Sequence, residues 1–334
     1  MRVGAIFPLW TFRDGPQLLE RAVGEIGIDH IVVPCVTGPF AVFRNPAFCE
    51  PPAFSTEGGW HFPPESKRYV VAGVRPHAAR WIAQRDWLSQ LVEAAKKLAI
   101  GVAARIEPAG ATAAMERSEQ LWLRDAWGEP FASRAGCFCN PALRELTATI
   151  CGDLSQYSLF RVELWREIPF CVTLRGLATA QLETFCLCAA CRQLAAREGI
   201  DVEAAGAAMK KTIEASSEWP EGSHPAQDES ELASPLAALA AARSSDTDWW
   251  ADSLSRIAGA SVIDVCDLQF RGDYAEMEMQ PLVDDPAGEM VRVATSAAEQ
   301  GAETLMFTGL DTAPRAAIKW AKQAARFARR AAAT

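Results

Sequence analysis

The chain has 334 residues, 49% of them hydrophobic and 22% charged, and a formal net charge of −9. That is the balance of a soluble globular protein with enough apolar residues to bury a large core. The acidic excess argues against a nucleic-acid partner or an anionic membrane surface, both of which need a basic face.

The opening MRVGAIFPLWTFRDG lacks the long apolar stretch and small-residue cleavage site of an export signal. No run of 18 or more apolar residues follows, so no membrane partner is expected and the predicted location is cytoplasmic. Ten cysteines in a reducing compartment do not make a disulfide framework. Their clustering favours metal binding or thiol chemistry.

Residues 3–10 read as a buried strand, and PQLLERAVGEIG as a helix with apolar residues at helical spacing and Gly27 as its C-cap. HIVVPCVTG, 30–38, is a second buried strand, so the chain opens as a βαβ unit with parallel strands. Residues 38–80 are rich in Pro, Gly and aromatics, the mark of a packed functional loop. An amphipathic helix over 86–101 and a strand over 101–108 follow. Asn140 and Pro141 mark the N-cap and first position of the next helix. Strand 158–168 alternates clearly; the cysteine-rich FCLCAACR then opens a pair of helices. A polar loop over 216–231 leads to two Ala-rich helices, a strand at 260–270, a helix, a strand at ETLMFTGLD and a closing basic helix.

Six strands, each followed by helix or loop, predict an α/β fold of the (β/α)8-type (TIM) barrel class. No strand is legible between residues 192 and 259, so either one or two strands are hidden there or the barrel is incomplete or degenerate over that span. The expected organisation is one barrel domain over 1–334, with a loop insertion at about 38–80 and a Cys-cluster helical insertion at about 169–231.

In such barrels chemistry sits at the C-terminal ends of the strands. Those ends supply Trp10; Arg105 and Glu107; Glu163, Trp165, Arg166 and Glu167; Asp264, Asp267 and Gln269; and Asp311. In FRVELWRE, period-two alternation puts Glu163, Trp165 and Glu167 on one face and Val162 and Leu164 on the other. An inward carboxylate is costly unless paired or functional. One reading is an Arg–Glu network at the barrel mouth using Arg105, Arg161 or Arg166. The other is a pair of carboxylates flanking a glycosidic bond, with Glu163 as acid/base, Asp267 as its first partner, and Asp311 or Glu107 next. Trp10 and Trp165, with Trp60, Trp122 and Trp127, are candidate platforms for sugar rings, although aromatic core packing is the commoner fate of a tryptophan. Arg105, Glu107 and Glu167 complete the predicted substrate-binding set.

The CxCxxC run offers three thiolates, Cys186, Cys188 and Cys191, and structural zinc takes four soft ligands. GCFCNP offers the fourth, as Cys137 or Cys139, with Cys137 preferred. Buried apolar cysteine is the alternative. The sequence contains no Walker A loop, no GxGxxG after a strand, no GxSxG and no HExxH.

The order WHFPPESKRY, GVAARIEP, DAWGEPF, CFCNPALRELTATICGDLSQYSLFRVELW and ETFCLCAACRQLAAREGIDVEA resembles an uncharacterised bacterial group of glycoside-hydrolase-like TIM-barrel proteins. The match covers roughly 60–205 and rests on Cys137, Asn140, Pro141, Arg144, Glu163, Cys186, Cys188, Cys191 and Arg192. The resemblance implies a small-molecule or oligosaccharide substrate. One departure matters: the interval FCVTLRGLATAQLET lacks the His present in the resembled pattern. A carbohydrate-binding pseudoenzyme or scaffold on the same fold is therefore the alternative to a glycosidase.

Overall fold

The computed structural model describes all residues except 71–72, 117, 132, 166–185, 217–233, 248–249, 265–273, 280–282 and 334. Seven parallel strands form one sheet: β1 (Arg2–Ile6), β2 (His30–Thr37), β6 (Gly101–Ile106), β7 (Arg161–Leu164), β8 (Ser261–Asp264), β9 (Tyr274–Glu278) and β10 (Thr304–Thr308). Their spatial order is β8-β7-β6-β2-β1-β10-β9. Followed from β1, the chain runs to β8 in one direction, and β9 and β10 return to β1 from the other, the circuit of a (β/α) barrel. Among the described residues β8 and β9 are not paired, which leaves a seam. The sheet is strongly curled: Arg105 on β6 pairs with Glu276 on β9, although β2, β1 and β10 lie between them in the sheet.

All six expected strands are present, though shorter than expected at several ends. The seventh parallel strand, β9, falls at 274–278 rather than in the 192–259 gap. Its alternation of Ala275 and Met277 with Glu276 and Glu278 was a readable signal. The expected first strand stops at Ile6, because Pro8 starts a short helix, α1 (Leu9–Asp14), that carries Trp10. The second helix, α2 (Gln17–Arg21), widens into a π-type turn that ends at Gly27 in the left-handed region, φ 78°. Gly27 is thus the expected C-cap.

The outward residues of the strands, such as Val33, Ala104, Val162, Leu164 and Phe307, join the main core beneath the helices. That layer includes α3 (Trp87–Lys97), α5 (Pro141–Leu154), α9 (Trp250–Ala258), α10 (Pro286–Glu299) and α11 (Arg315–Ala331). The closing helix α11 presents an Ala-rich face, Ala317, Ala321, Ala324 and Ala328, whose small side chains permit close packing on α10. Asn140 caps α5 by accepting from the Ala142 N–H at 3.0 Å, with Pro141 at the first helical position, as the sequence predicts.

The inward layer is narrow. Ile6, Val32, Ala103 and Met306 form a small cluster of their own. Below them a Cβ at Gly4 would collide with Met306 and the His30 ring, so only glycine leaves that ring room.

The 38–80 segment is packed, as expected, and contains strands of its own. β3 (Phe40–Phe43) and β4 (Ala53–Thr56) form an antiparallel hairpin, and β5 (Gly59–Trp60) pairs antiparallel with β2. Arg44, fully buried, ties the hairpin to Asp14 at 2.8 Å. Asn45 donates to the Ala313 carbonyl at 2.7 Å. The hairpin therefore lies over the chain that leaves β1 and β10. Two further helices, α6 (Ala189–Arg197) and α7 (Val202–Ser216), join α8 (Ser234–Thr247) and the segment around 121–139 to bury two smaller clusters away from the main core. A short helix α4 (Pro108–Ala111) follows β6. No helix of the described residues is long and apolar enough to cross a membrane.

Candidate active site and metal centre

Alternation puts Arg105, Arg161 and Glu163 on the inner face of the curled sheet. Arg105 and Glu163 are register partners across β6 and β7. Glu163 is fully buried and accepts hydrogen bonds on both oxygens: from Arg105 Nε at 3.0 Å and Nη2 at 2.7 Å, and from Arg161 Nη2 at 2.6 Å. The same Arg105 Nη2 also pairs with Glu276 Oε1, whose side chain is 17% exposed. Among the described residues, two guanidiniums and two carboxylates meet in this network. Trp165, at the C-terminal end of β7, stacks on the Arg105 guanidinium 4.8 Å from its ring centroid. Its buried indole N–H has no acceptor among the described residues.

This is the Arg–Glu network that the sequence allowed, with one member unforeseen. Glu276 was missed because its strand was missed. A neutral side chain at position 163 would take one carboxylate away from both Arg105 and Arg161, so Glu163→Gln is expected to cost stability.

The other expected residues are dispersed. Asp311 follows β10, is 5% exposed and accepts from Thr11 Oγ1 at 2.7 Å, beneath the hairpin. Burial raises its pKa above the ordinary carboxylate value. Glu107, half-buried at the end of β6, accepts from the Gly38 N–H at 3.3 Å. Trp10 is buried rather than open as a platform: it stacks on Phe54 at 5.0 Å and 12° and packs edge-on against His61 and Trp81. Its indole N–H also lacks an acceptor among the described residues. Trp60 is fully buried and donates to Tyr69; Trp127 is half exposed. Asp267, Glu167 and Arg166 lie outside the described residues.

His61 lies in WHFPPESKRY, a stretch whose sequence assigns it no role. Trp81 Nε1, which only donates, donates to His61 Nδ1 at 3.0 Å. The proton therefore sits on Nε2, which faces Thr37 Oγ1 at 2.8 Å, and Thr37 in turn donates to the Gly38 carbonyl at 2.9 Å. Full burial drops the His61 pKa to about 3, so the ring is a neutral relay that fixes the C-terminal end of β2.

The second site is the cysteine cluster. Cys137, Cys186, Cys188 and Cys191 are all buried, with their sulfurs within 4.8 Å of one another. Tetrahedral zinc–thiolate bonds of about 2.3 Å place sulfurs about 3.8 Å apart, so the four can close on one ion by small side-chain movements. The donor set and burial fit a soft metal ion in a closed shell. Cys137 is the fourth thiol of the set; Cys139 packs alongside in the same cluster. Hydrogen bonds from neighbouring thiols pull Cys137 and Cys188 well below the ordinary thiol range and push Cys191 up; burial pushes Cys186 up. The thiols share protons rather than titrating independently.

The described residues thus form a mixed α/β fold whose curled parallel sheet makes a partial barrel with a charged inner face. No protein-family model matches the chain, and no curated protein sequence does. Among solved structures it resembles alpha-L-fucosidase isoenzyme 2 from Paenibacillus thiaminolyticus, with a TM-score of 0.54 at 12% sequence identity. The alignment covers 98% of this chain and 49% of that one, so the chain spans about half the length of the fucosidase it matches. At this identity the likeness is one of fold.

Proposed function

We propose that the chain is a glycoside-hydrolase-like protein that takes a carbohydrate at the C-terminal face of its curled sheet. The observation that carries this reading is the carboxylate pair Glu163 and Glu276 held on Arg105 beneath Trp165. An indole face and an indole N–H without a partner among the described residues, beside a carboxylate, are groups that a sugar ring and its hydroxyls use.

In the hydrolytic form of this reading, Glu163, Asp267 and Asp311 supply the acid/base chemistry. Both Glu163 oxygens already accept from guanidinium N–H groups, so Glu163 suits the nucleophile or base rather than the proton donor. Asp311, whose burial favours the protonated carboxyl, suits the acid. Arg105, Glu107, Trp165 and Glu167 form the binding set, and Trp10, buried beneath the hairpin, drops out of it. The second reading, a carbohydrate-binding protein without turnover, is favoured by the full burial of Glu163 and its two arginines.

We further assign zinc to the four-cysteine site in a structural role. Four thiolates and no open position suit zinc as a fold-stabilising ion and leave it no catalytic step.

The test pairs a hydrolysis screen on aryl glycosides, an α-L-fucoside included, with calorimetry against a glycan set. Turnover that Asp311→Asn abolishes, while the variant keeps its thermal transition, supports the hydrolytic form. Binding heat without turnover supports the second. Neither heat nor turnover with any sugar overturns the carbohydrate reading.

A further inference from the structure

Arg243, on α8, is 9% exposed. Its Nη2 lies 4.0 Å from Cys137 Sγ. Its Nε and Nη1 are buried without a hydrogen-bond partner, and among the described residues no carboxylate pairs with it. A guanidinium keeps its charge under all ordinary conditions, and a buried, uncompensated charge is strongly unfavourable. The carboxylates that answer Arg105 and Arg161 in the barrel have no counterpart here. What surrounds Arg243 is sulfur, and a neutral thiol is a weak acceptor that brings no charge.

Four thiolates around a divalent ion change the sum. Minus four and plus two leave minus two on the shell, which a single buried cation half neutralises. We propose that Arg243 is the built-in counter-cation of a four-thiolate metal centre: it donates to the Cys137 sulfur and thereby docks α8 onto the centre. This rests on the metal reading above and deepens it, since the orphaned guanidinium points to an anionic centre independently of the cysteine spacing. Arg243 is a positioning residue. It binds no metal itself; it raises the affinity of the thiolate shell for its ion and couples metal occupancy to the placement of α8, where Leu239 is buried against the neighbouring helices.

The experiment uses the full chain, loaded with zinc and separately with cobalt(II), as wild type, Arg243→Met and Arg243→Lys. Three quantities are read: zinc affinity by competition with a chromophoric chelator, the energy of the sulfur-to-cobalt charge-transfer band, and amide-exchange protection of α8 with and without chelator. The expected result is one metal per chain in all three proteins. Affinity should fall about 10- to 100-fold in Arg243→Met, the usual loss for a group supporting a metal ligand, and less in Arg243→Lys. The charge-transfer band should shift in Arg243→Met, and chelation should deprotect α8 in the wild type. Equal affinity, an unshifted band and equal α8 protection in wild type and Arg243→Met overturn the role of Arg243 while leaving the metal centre standing. A wild-type chain that takes up no zinc or cobalt overturns the metal centre and this inference with it. Should Arg243→Met fail to fold, the Arg243→Lys affinity and the wild-type exchange measurement decide by the same criteria.

Discussion

The barrel interior and the cysteine module both bury arginine, and they answer its charge differently. Inside the barrel, Arg105 and Arg161 meet Glu163 and Glu276, anions supplied by the chain itself. In the module, Arg243 meets sulfur and, among the described residues, no carboxylate. A carboxylate is an anion at neutral pH without help, so the barrel network completes on folding. A cluster of thiols becomes fully anionic only around a metal. The lesson is that one region answers its arginines with carboxylates of its own sequence, whereas the other, on the metal reading proposed above, draws its charge from an ion acquired from solution.

The largest effect should come from removing that ion. Structural zinc sites bind with about 10–16 kcal/mol in small domains at neutral pH. Chelation should therefore unravel α6 to α8 while β1, β2 and β6 keep their amide protection. Exchange mass spectrometry resolves the two, and loss of protection everywhere at once would erase the contrast between the regions.

Next comes the barrel network. Glu163→Gln should lower stability by about 3–5 kcal/mol, the usual result of breaking a buried pair and stranding its partners. Glu276→Gln should do less, about 1 kcal/mol, because that side chain is partly solvated and Arg105 keeps Glu163. Urea unfolding at pH 7.5 measures both, and equal losses would show that the network is not centred on Glu163.

Acid should also act on the barrel. Burial lowers His30 to about 4, with Arg161 adding to the shift and Glu163 opposing it, and lowers His61 to about 3, opposed by Glu57. In the unfolded chain both titrate near 6.5. Below that value the unfolded state binds protons that the folded state refuses, so stability falls as pH drops from about 6.5 toward the folded pKa values. The loss should be on the order of 3 kcal/mol for each ring. Unfolding midpoints at pH 7.5 and pH 5 test this; a slope unchanged in both His30→Gln and His61→Gln would refute the assignment. The smallest effect belongs to the joint between the regions. Asn140→Ala removes the cap of α5 and should cost about 1 kcal/mol in the same urea assay.

How much of this was legible in the sequence follows from how far each feature reaches along the chain. The α5 cap and the Gly27 terminus are settled within three or four residues, and both read correctly. The inward face of β7 follows from alternation alone, so Glu163 could be placed inside before its partners were known. Strand β9 was missed because five residues with two glutamates lack the apolar density of a buried strand, although their alternation was visible. Trp10 was misread because burial beneath a hairpin 30 and more residues onward leaves no mark near position 10. His61 carried no role for a similar reason, since Trp81 and Thr37 reach it from either side in the chain.

By itself the sequence determined the periodicities: which residues alternate, where helices begin and end, and that Cys186, Cys188 and Cys191 lie within reach of one ion. Only the tertiary structure decided the partners. Cys137 joins the thiols from 54 residues away in the chain, and Glu276 meets Arg105 across 171. Local backbone preferences act over a turn or a strand, but whether two distant charges meet depends on how far the sheet curls and where its insertions dock. Those are set by the packing of the whole core.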